Sequence, residues 1–396
     1  MAIKAVFWTL VVGVELLGFV FWGWWSILII NGGIIVLEFL LTDNLDNFLQ
    51  ESNLNVKKIP KLLIERKYEF QNSEEKINWK HDAELGWRLK PNTRLAMNIA
   101  IPELGLRHSL VYNTIENGSR RTSSASAESK KHCPVISILG CSNTYGHSLN
   151  DEETYAWLLQ EQFPEKRVIN YGVAGYSLYQ CLLVLEKTIK EDGPEVVVIG
   201  FHPDLGWRNT SSFAWAHRIN DTWRIPSCVS RKGKLHRYPP RGYVGLPYSG
   251  FRVAKSLELY MNRLLFWRRG QKAVIQKTME HLLLQMRALC ERHGAKLIVA
   301  CLDESRMYYD FLNKNGFSWC VTGVDTNELT KDGRFRWILY PFDNHPNQDA
   351  HRRYAEVIGE AAGDVLAGRR CSIRPELLRG GGFETKDAGA YIYPIF

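Results

Sequence analysis

The chain has 396 residues, of which 45% are hydrophobic and 12% aromatic, and its formal net charge is +8. A chain of this length can bury a substantial core and hold two or three structural units. The basic excess favours anionic surfaces such as lipid head groups or acidic glycans. Because no zinc finger, RNA-recognition signature or basic zipper is present, no nucleic-acid partner is predicted.

A long apolar segment lies near the start of the chain. Residues 5–30 carry one charge, Glu15, and exceed the roughly 20 apolar residues that span a bilayer. The segment lacks a small-residue cleavage site, so an uncleaved transmembrane anchor over residues 1–41 is predicted. Lys4 before the span and acidic residues after it predict a cytoplasmic N-terminus and an extracytoplasmic main domain.

An NGG break at residues 31–33 divides this apolar region. Two arrangements fit: one span followed by an interfacial helix, or a hairpin of two short spans. The single span is favoured, and it predicts a single-pass membrane protein. A charged residue inside a span is costly, so Glu15 is expected to face a partner or a polar groove.

Residues 42–132 are predicted to be a linker and lead-in region. Residues 52–80 are polar and charged, and residues 117–131 form a polar, low-complexity loop. Between them, residues 82–94 have turn chemistry around Trp87, which is expected to be buried.

From residue 133 to residue 366, strand and helix patterns alternate. Short apolar runs such as EVVVIG, which ends at Gly200, predict buried parallel strands. The intervening segments have helical spacing and helix-start signals: capping boxes at Asn150 and Ser177, and an N-cap at Asn347. This alternation predicts an α/β domain with a doubly wound, mostly parallel sheet and a three-layer α/β/α arrangement.

Residues 205–270 interrupt the alternation as a basic insertion, and residues 367–396 follow the domain as a tail. From Arg231 to Lys272 there are eleven Lys or Arg residues against one acid, Glu258. The spacing within residues 251–270 predicts an amphipathic helix. It fits a helix on a membrane or acidic polymer, or a helix packed on the domain with a solvated basic face, which is the commoner case.

Candidate catalytic residues follow the predicted strands. Ser142 comes directly after the first strand of the domain, and Asp343 and His345 lie in a DNHPN segment just before the last helix. In open α/β sheets, sites form beyond the carboxyl ends of the strands. Nucleophilic catalysis by serine needs a base, a group that orients the base, and N–H donors for the oxyanion. These three residues and the loop backbones would supply all of these.

These segments together resemble the SGNH, or GDSL-type, hydrolase superfamily of serine esterases and acyl hydrolases. The resemblance rests on the first block of the family, Gly140-Cys141-Ser142 with Gly146, on its second block, Asn170, Gly172 and Gly175, and on its last block, Asp343 to Asn347. It also covers ELGWRLKPN, a lead-in common among membrane-anchored members, and therefore spans roughly residues 80–365.

The resemblance implies roles for these residues. Ser142 is expected to be the nucleophile, His345 the general base and then the acid toward the leaving alcohol, and Asp343 the residue that orients His345. The backbone N–H groups of Ser142 and Gly175 would line the oxyanion hole, beside Gly172 of the second block.

The third block departs from the family pattern. The family usually places an asparagine there as an oxyanion donor, but this chain has His202, Pro203 and Asp204. An ionised Asp204 would repel an oxyanion. Either Asn209 or another donor therefore takes the place of the missing asparagine, or the enzyme is slow or inactive. Loss of one such donor costs on the order of 100- to 1000-fold in rate.

Two functions follow from these patterns. The first is a membrane-anchored serine esterase or acyltransferase that acts on an acyl ester, for example an O-acyl group of a polysaccharide or a lipid. The alternative is a catalytically weak or inactive SGNH-fold subunit of a membrane protein complex, motivated by the third block, by Glu15 and by the aromatic tail at residues 389–396. No cofactor is predicted, and His147, His202 and His345 lack the spacing typical of metal ligands, so no metal site is predicted.

Overall fold

The computed structural model describes residues 67–70, 78–124, 130–210, 224–241, 271–303 and 305–371. The expected anchor over residues 1–41, the amphipathic helix within residues 251–270 and the tail from residue 372 onward lie outside this described part. Among the described helices, none has the length and apolar character needed to cross a membrane.

A five-stranded parallel sheet forms the centre of the domain. Its strands follow the spatial order β12-β11-β8-β6-β7, and every neighbouring pair is parallel. The strands are β6 (Val135–Gly140), β7 (Arg167–Asn170), β8 (Val196–Phe201), β11 (Lys296–Cys301) and β12 (Ser318–Val321). This confirms the α/β class with a parallel sheet, and β12 is a strand that the sequence patterns did not predict.

Seven α-helices accompany these strands in the described part of the chain. They are α1 (Ser142–Tyr145), α2 (Tyr155–Gln162), α3 (Leu178–Asp192), α4 (Asp204–Arg208), α5 (Gln271–Arg292), α6 (Arg306–Lys314) and α7 (Gln348–Leu366). Two short 3₁₀ turns, Pro102–Leu104 and Asp151–Glu153, lie between the longer elements.

Helices cover both faces of the sheet because its strands are buried on both sides. In β8, Val197 and Ile199 pack into one apolar cluster with residues of α3, α5 and α6. Val196 and Val198 point the opposite way, into a cluster with residues of α2 and α7. Alternate side chains of one strand therefore pack into two separate cores, so the sheet is the middle layer between two layers of helices.

The helix starts follow local chemistry. Ser177 and Gln180 form the expected reciprocal capping box at the start of α3, and the Asn347 side chain accepts two backbone N–H groups at the start of α7. The box at Asn150 is also present, but it caps the 3₁₀ turn, and Thr154 caps α2 instead. The helix therefore begins later than the sequence predicts.

Much of the lead-in region is sheet. β1 (Lys67–Phe70), β4 (Arg94–Ile101) and β5 (Leu106–Asn113) form a three-stranded antiparallel sheet, and β2 (Trp79–Asp82) pairs with β3 (Gly86–Leu89). Trp87 is buried as expected, and its indole N–H donates to the carbonyl of Ala174 in the α/β core. The described part of the insertion holds α4 and a basic hairpin, β9 (Ile225–Arg231) with β10 (Lys234–Arg241).

Candidate active site

Ser142 lies at the carboxyl edge of the central sheet. β6 ends at Gly140, and Ser142 opens the single turn of α1 with Cys141 at the N-cap. The residue is 8% exposed. Its hydroxyl makes no hydrogen bond with any described residue, and neither its N–H nor that of Gly175 donates to a described acceptor.

Two glycines in register allow α1 to sit close to the sheet. Gly140 of β6 pairs with Gly200 of β8. A β-carbon would lie 2.0 Å from Thr144 Oγ1 at position 140 and 2.1 Å from the same atom at position 200. The Tyr155 hydroxyl donates to Thr144 Oγ1 over 3.0 Å. Side chains at these two positions would therefore displace the turn that carries Ser142.

The second loop supports α1 from β7. The Asn170 side chain donates to the carbonyl of Thr144 over 2.9 Å and accepts the N–H of Gly172 over 2.9 Å. A β-carbon at Gly172 would lie 2.5 Å from the backbone nitrogen of Tyr145, so only glycine fits there. Gly175 follows with φ +84°, in the left-handed region that favours glycine.

Asp343 and His345 form a carboxylate–imidazole pair. Asp343 Oδ2 lies 2.9 Å from His345 Nδ1, and Oδ1 accepts the N–H of Asn344 over 2.7 Å. The hydroxyl of Ser148 also donates to Oδ2. Burial opposes ionisation of this carboxyl, but the hydrogen bond and charge of His345, followed by His147 and the Ser148 hydroxyl, outweigh it and hold the pKa of Asp343 well below its usual range. The pair leaves His345 Nε2 available as a base.

His147 is a second imidazole at the same carboxylate. Its ring centroid lies 4.6 Å from that of His345, and its Nε2 lies 3.7 Å from Asp343 Oδ2. Burial and the neighbouring His345 lower the pKa of His147 to about 4. Ligand atoms of His147, Asp343 and His345 lie within 4.8 Å of one another, so this group could hold a metal ion. The spacing of the histidines in the sequence predicted no metal site. It gave no sign of this group, because the fold brings His147 next to Asp343 and His345, which are distant from it in the sequence.

The third loop contains a second histidine–carboxylate group. His202 Nε2 lies 3.5 Å from Asp303 Oδ2, and its Nδ1 lies 3.8 Å from Asp204 Oδ2. Burial favours the neutral ring, but Asp204 and Asp303 outweigh it and raise the pKa of His202 to about 9. Asp204 also pairs with Arg208 over 3.5 Å. The Asp204 carboxylate is therefore engaged in ion pairs.

Asn209 does not supply the replacement oxyanion donor, which corrects the sequence-based expectation. The residue is fully buried. Its side-chain carbonyl accepts the N–H of Tyr179 at the start of α3 over 2.8 Å, and its amide nitrogen lies 3.2 Å from the Met279 sulfur. The amide therefore caps a helix inside the core, because the turn after β8 points it inward.

Three further residues at the site were not singled out from sequence. Asp303 follows β11, Ser148 follows α1, and Arg120 lies within the stretch predicted to be a loop. A sequence signal existed for Asp303, since an acid directly after a buried strand lies at the same edge as Ser142. For Ser148 and Arg120, the contacts are tertiary, and no local pattern predicts them.

No family model matches this chain, and no curated protein shows significant sequence similarity to it. Solved structures similar to it include a psychrotrophic esterase from Pseudoalteromonas, with 13% identity over 59% of this chain and 98% of that chain and a TM-score of 0.33. Others are an acetyl-xylooligosaccharide esterase mutant from Geobacillus (12% identity; 59% and 96% covered; TM-score 0.33) and a member of the lipolytic G-D-S-L family from Veillonella parvula (11% identity; 59% and 99% covered; TM-score 0.30). Identities and scores at this level assign no activity to this chain.

Proposed function

We propose that this chain is an SGNH-type serine ester hydrolase or acyltransferase. The observation that carries the proposal is the 2.9 Å contact between Asp343 Oδ2 and His345 Nδ1. It orients an imidazole whose second nitrogen is available at a sheet edge that also presents Ser142. A base, a group that orients it and a hydroxyl nucleophile are the parts that acyl transfer needs.

The chemistry follows from these positions. Ser142 Oγ attacks the acyl carbonyl carbon as His345 Nε2 takes the hydroxyl proton, and Asp343 stabilises the imidazolium that forms. The N–H groups of Ser142 and Gly175 stabilise the oxyanion. His345 returns the proton to the leaving alcohol, and water or a second hydroxyl then takes the acyl group from Ser142. In the present structure Ser142 and His345 are not hydrogen-bonded, and such contacts often tighten only when substrate is bound.

The location and substrate class also belong to the proposal. The apolar segment at residues 5–30 and the basic stretch from Arg231 to Lys272 support an anchored enzyme that works beside a membrane, outside the cytoplasm. We propose an O-acyl ester of a glycan or a lipid as the substrate, because such esters occur at that surface.

A second candidate function is a binding subunit without catalysis. It is favoured by the burial of the Asn209 amide and by the absence of a hydrogen bond between the Ser142 hydroxyl and any described residue. In this case the fold would serve assembly within a membrane complex, and catalytic substitutions would leave the complex unchanged.

A fluorophosphonate probe distinguishes the two functions. We expect the full chain to be labelled and to hydrolyse p-nitrophenyl acetate, and we expect Ser142→Ala to lose both properties. Ser137→Ala is the matched control, because this serine lies on β6, the strand that leads to Ser142, and its buried hydroxyl has no partner in the described part. No labelling and no turnover above Ser142→Ala would overturn the enzyme and favour the binding subunit.

A further inference from the structure

Ser148 holds an unusual backbone conformation next to the Asp343 carboxylate. Its φ is +64°, in the left-handed region that serine seldom adopts. The residue is 1% exposed, and its hydroxyl donates to Asp343 Oδ2, the oxygen that faces His345. A non-glycine residue keeps such a conformation only where its surroundings fix it, and such residues cluster at functional sites.

Two residues of strand β5 fix the backbone of Ser148 from both sides. The Ser148 N–H donates to the hydroxyl of Tyr112 over 2.9 Å. The Ser148 carbonyl lies 3.0 Å from His108 Nε2. Both partners belong to the antiparallel lead-in sheet, which is therefore in direct contact with the loop that supports the Asp343–His345 pair.

Arg120 fixes the rest of this loop, residues 145–149. The residue is 1% exposed, and its guanidinium donates to the carbonyls of Tyr145 and Gly146 over 2.5 Å each and of Leu149 over 2.6 Å. Asp151 compensates its charge at 3.0 Å. A buried cation that satisfies three carbonyls leaves the loop little freedom to move.

We propose that Ser148 is a positioning residue that holds Asp343 in line with His345, and that Tyr112, His108 and Arg120 of the lead-in region hold Ser148. Three residues of the lead-in region then act on the Asp343–His345 pair through Ser148. This inference rests on the proposed function for its effect on rate, and on the hydrogen-bond geometry for its structural content.

Asp343 needs to be held in position because two imidazoles compete for one of its oxygens. Asp343 Oδ2 faces both His345 and His147, at 2.9 and 3.7 Å. Without the Ser148 hydroxyl, the carboxylate is free to turn toward His147, and His345 loses its fixed orientation. Misplacement of a catalytic group by about 1 Å can cost on the order of 100-fold in rate.

The test compares substitutions in the full chain. In Ser148→Ala we expect fluorophosphonate labelling to slow by about 10- to 100-fold, with kcat reduced, KM nearly unchanged and little loss of thermal stability.

Ser148→Asn should restore much of the rate, because asparagine tolerates φ > 0 and its amide can donate to Asp343. Tyr112→Phe should reduce the rate in the same direction. Ser109→Ala, an exposed change on β5 that removes only a bond to Asn98, should leave it unchanged.

A spectroscopic measurement separates this inference from the proposed function. The proton between His345 Nδ1 and Asp343 should give a downfield ¹H NMR signal in Ser142→Ala, and Ser148→Ala in that background should shift or abolish it. Wild-type labelling rates together with an unchanged signal in the Ser148→Ala variants would overturn the positioning role. A wild-type chain that is not labelled but shows the signal and its loss would overturn the enzyme and keep the positioning role.

Discussion

Two histidine–carboxylate groups lie at the same edge of the central sheet, and they differ in the number of carboxylates and imidazoles that each contains. In the first group, one carboxylate, Asp343, faces two imidazoles, His147 and His345. In the second group, two carboxylates, Asp204 and Asp303, face one imidazole, His202. The chemistry of the side chains is the same, and only their number differs.

The pKa values of the rings also differ. Burial and the neighbouring His345 lower the pKa of His147 to about 4, whereas Asp204 and Asp303 outweigh burial and raise the pKa of His202 to about 9. Both nitrogens of His202 are also engaged, because Nε2 lies 3.5 Å from Asp303 Oδ2 and Nδ1 lies 3.2 Å from the backbone nitrogen of Asp204, so neither is available to accept the proton of a serine hydroxyl. When their environments push the pKa values of two titratable groups apart in this way, the two groups are suited to different roles in catalysis. These differences support the proposal that the general base is His345 of the first group.

The largest effect is expected from a matched pair of substitutions, Asp343→Asn and Asp303→Asn. Loss of the Asp343 charge should reduce kcat by about 10³- to 10⁴-fold, because the imidazole loses the group that fixes its orientation and tautomer. Asp303→Asn should cost far less. Rates of p-nitrophenyl acetate hydrolysis measure both. Equal losses in the two variants would contradict the assignment of roles and would make His202 the catalytic base.

A smaller effect concerns the free energy of unfolding and its dependence on pH. Because the folded-state pKa of His202 is about 9 against an ordinary 6.5, its stabilising contribution is complete below pH 6.5 and is lost as the pH rises through 9. The expected slope is at most about 1.4 kcal/mol per pH unit. Urea denaturation of wild type and His202→Gln measures it, and a slope of equal size in the variant would contradict a charged His202.

The smallest effect is expected from His147→Gln. We expect its change in kcat to stay well below the roughly 100-fold that loss of a general base costs. Its folded-state pKa is depressed, so it contributes stability above pH 6.5 that is lost as the pH falls toward 4. The variant should therefore lose less stability between these pH values than wild type does. A large fall in kcat would place the base on His147 instead of His345.

Local patterns predicted most of the α/β core. The apolar run that forms β8 and the capping box at Ser177 depend on residues that are close in sequence, so both could be predicted from the sequence alone. The carboxyl-edge rule then placed Ser142, His345 and the loop of Gly172 on one edge.

Contacts between distant segments account for what the sequence did not predict. Arg120 meets the carbonyl of Leu149 only because the lead-in strands pack on the α/β core. The lead-in was expected to be a linker, although the β-branched Val111 and the aromatic Tyr112 of Leu106–Asn113 are residues that favour a strand. Asn209 was assigned to the oxyanion because it follows the third block, and the direction of its side chain is set by Tyr179 and Met279, which lie on other helices.

The facing glycines at 140 and 200 have a consequence for engineering. Both positions abut the same atom, Thr144 Oγ1, so the two sites are coupled through a third residue. In a saturation library, each position alone should reject every side chain, including alanine. Thr144→Ala would remove the obstructing hydroxyl, but the β-carbon of residue 144, 2.7 Å from a β-carbon at position 140, would stay, so tolerance should rise more at Gly200 than at Gly140. The distance between the sheet and the turn that carries Ser142, the proposed nucleophile, is thus set by three residues on two strands and one turn.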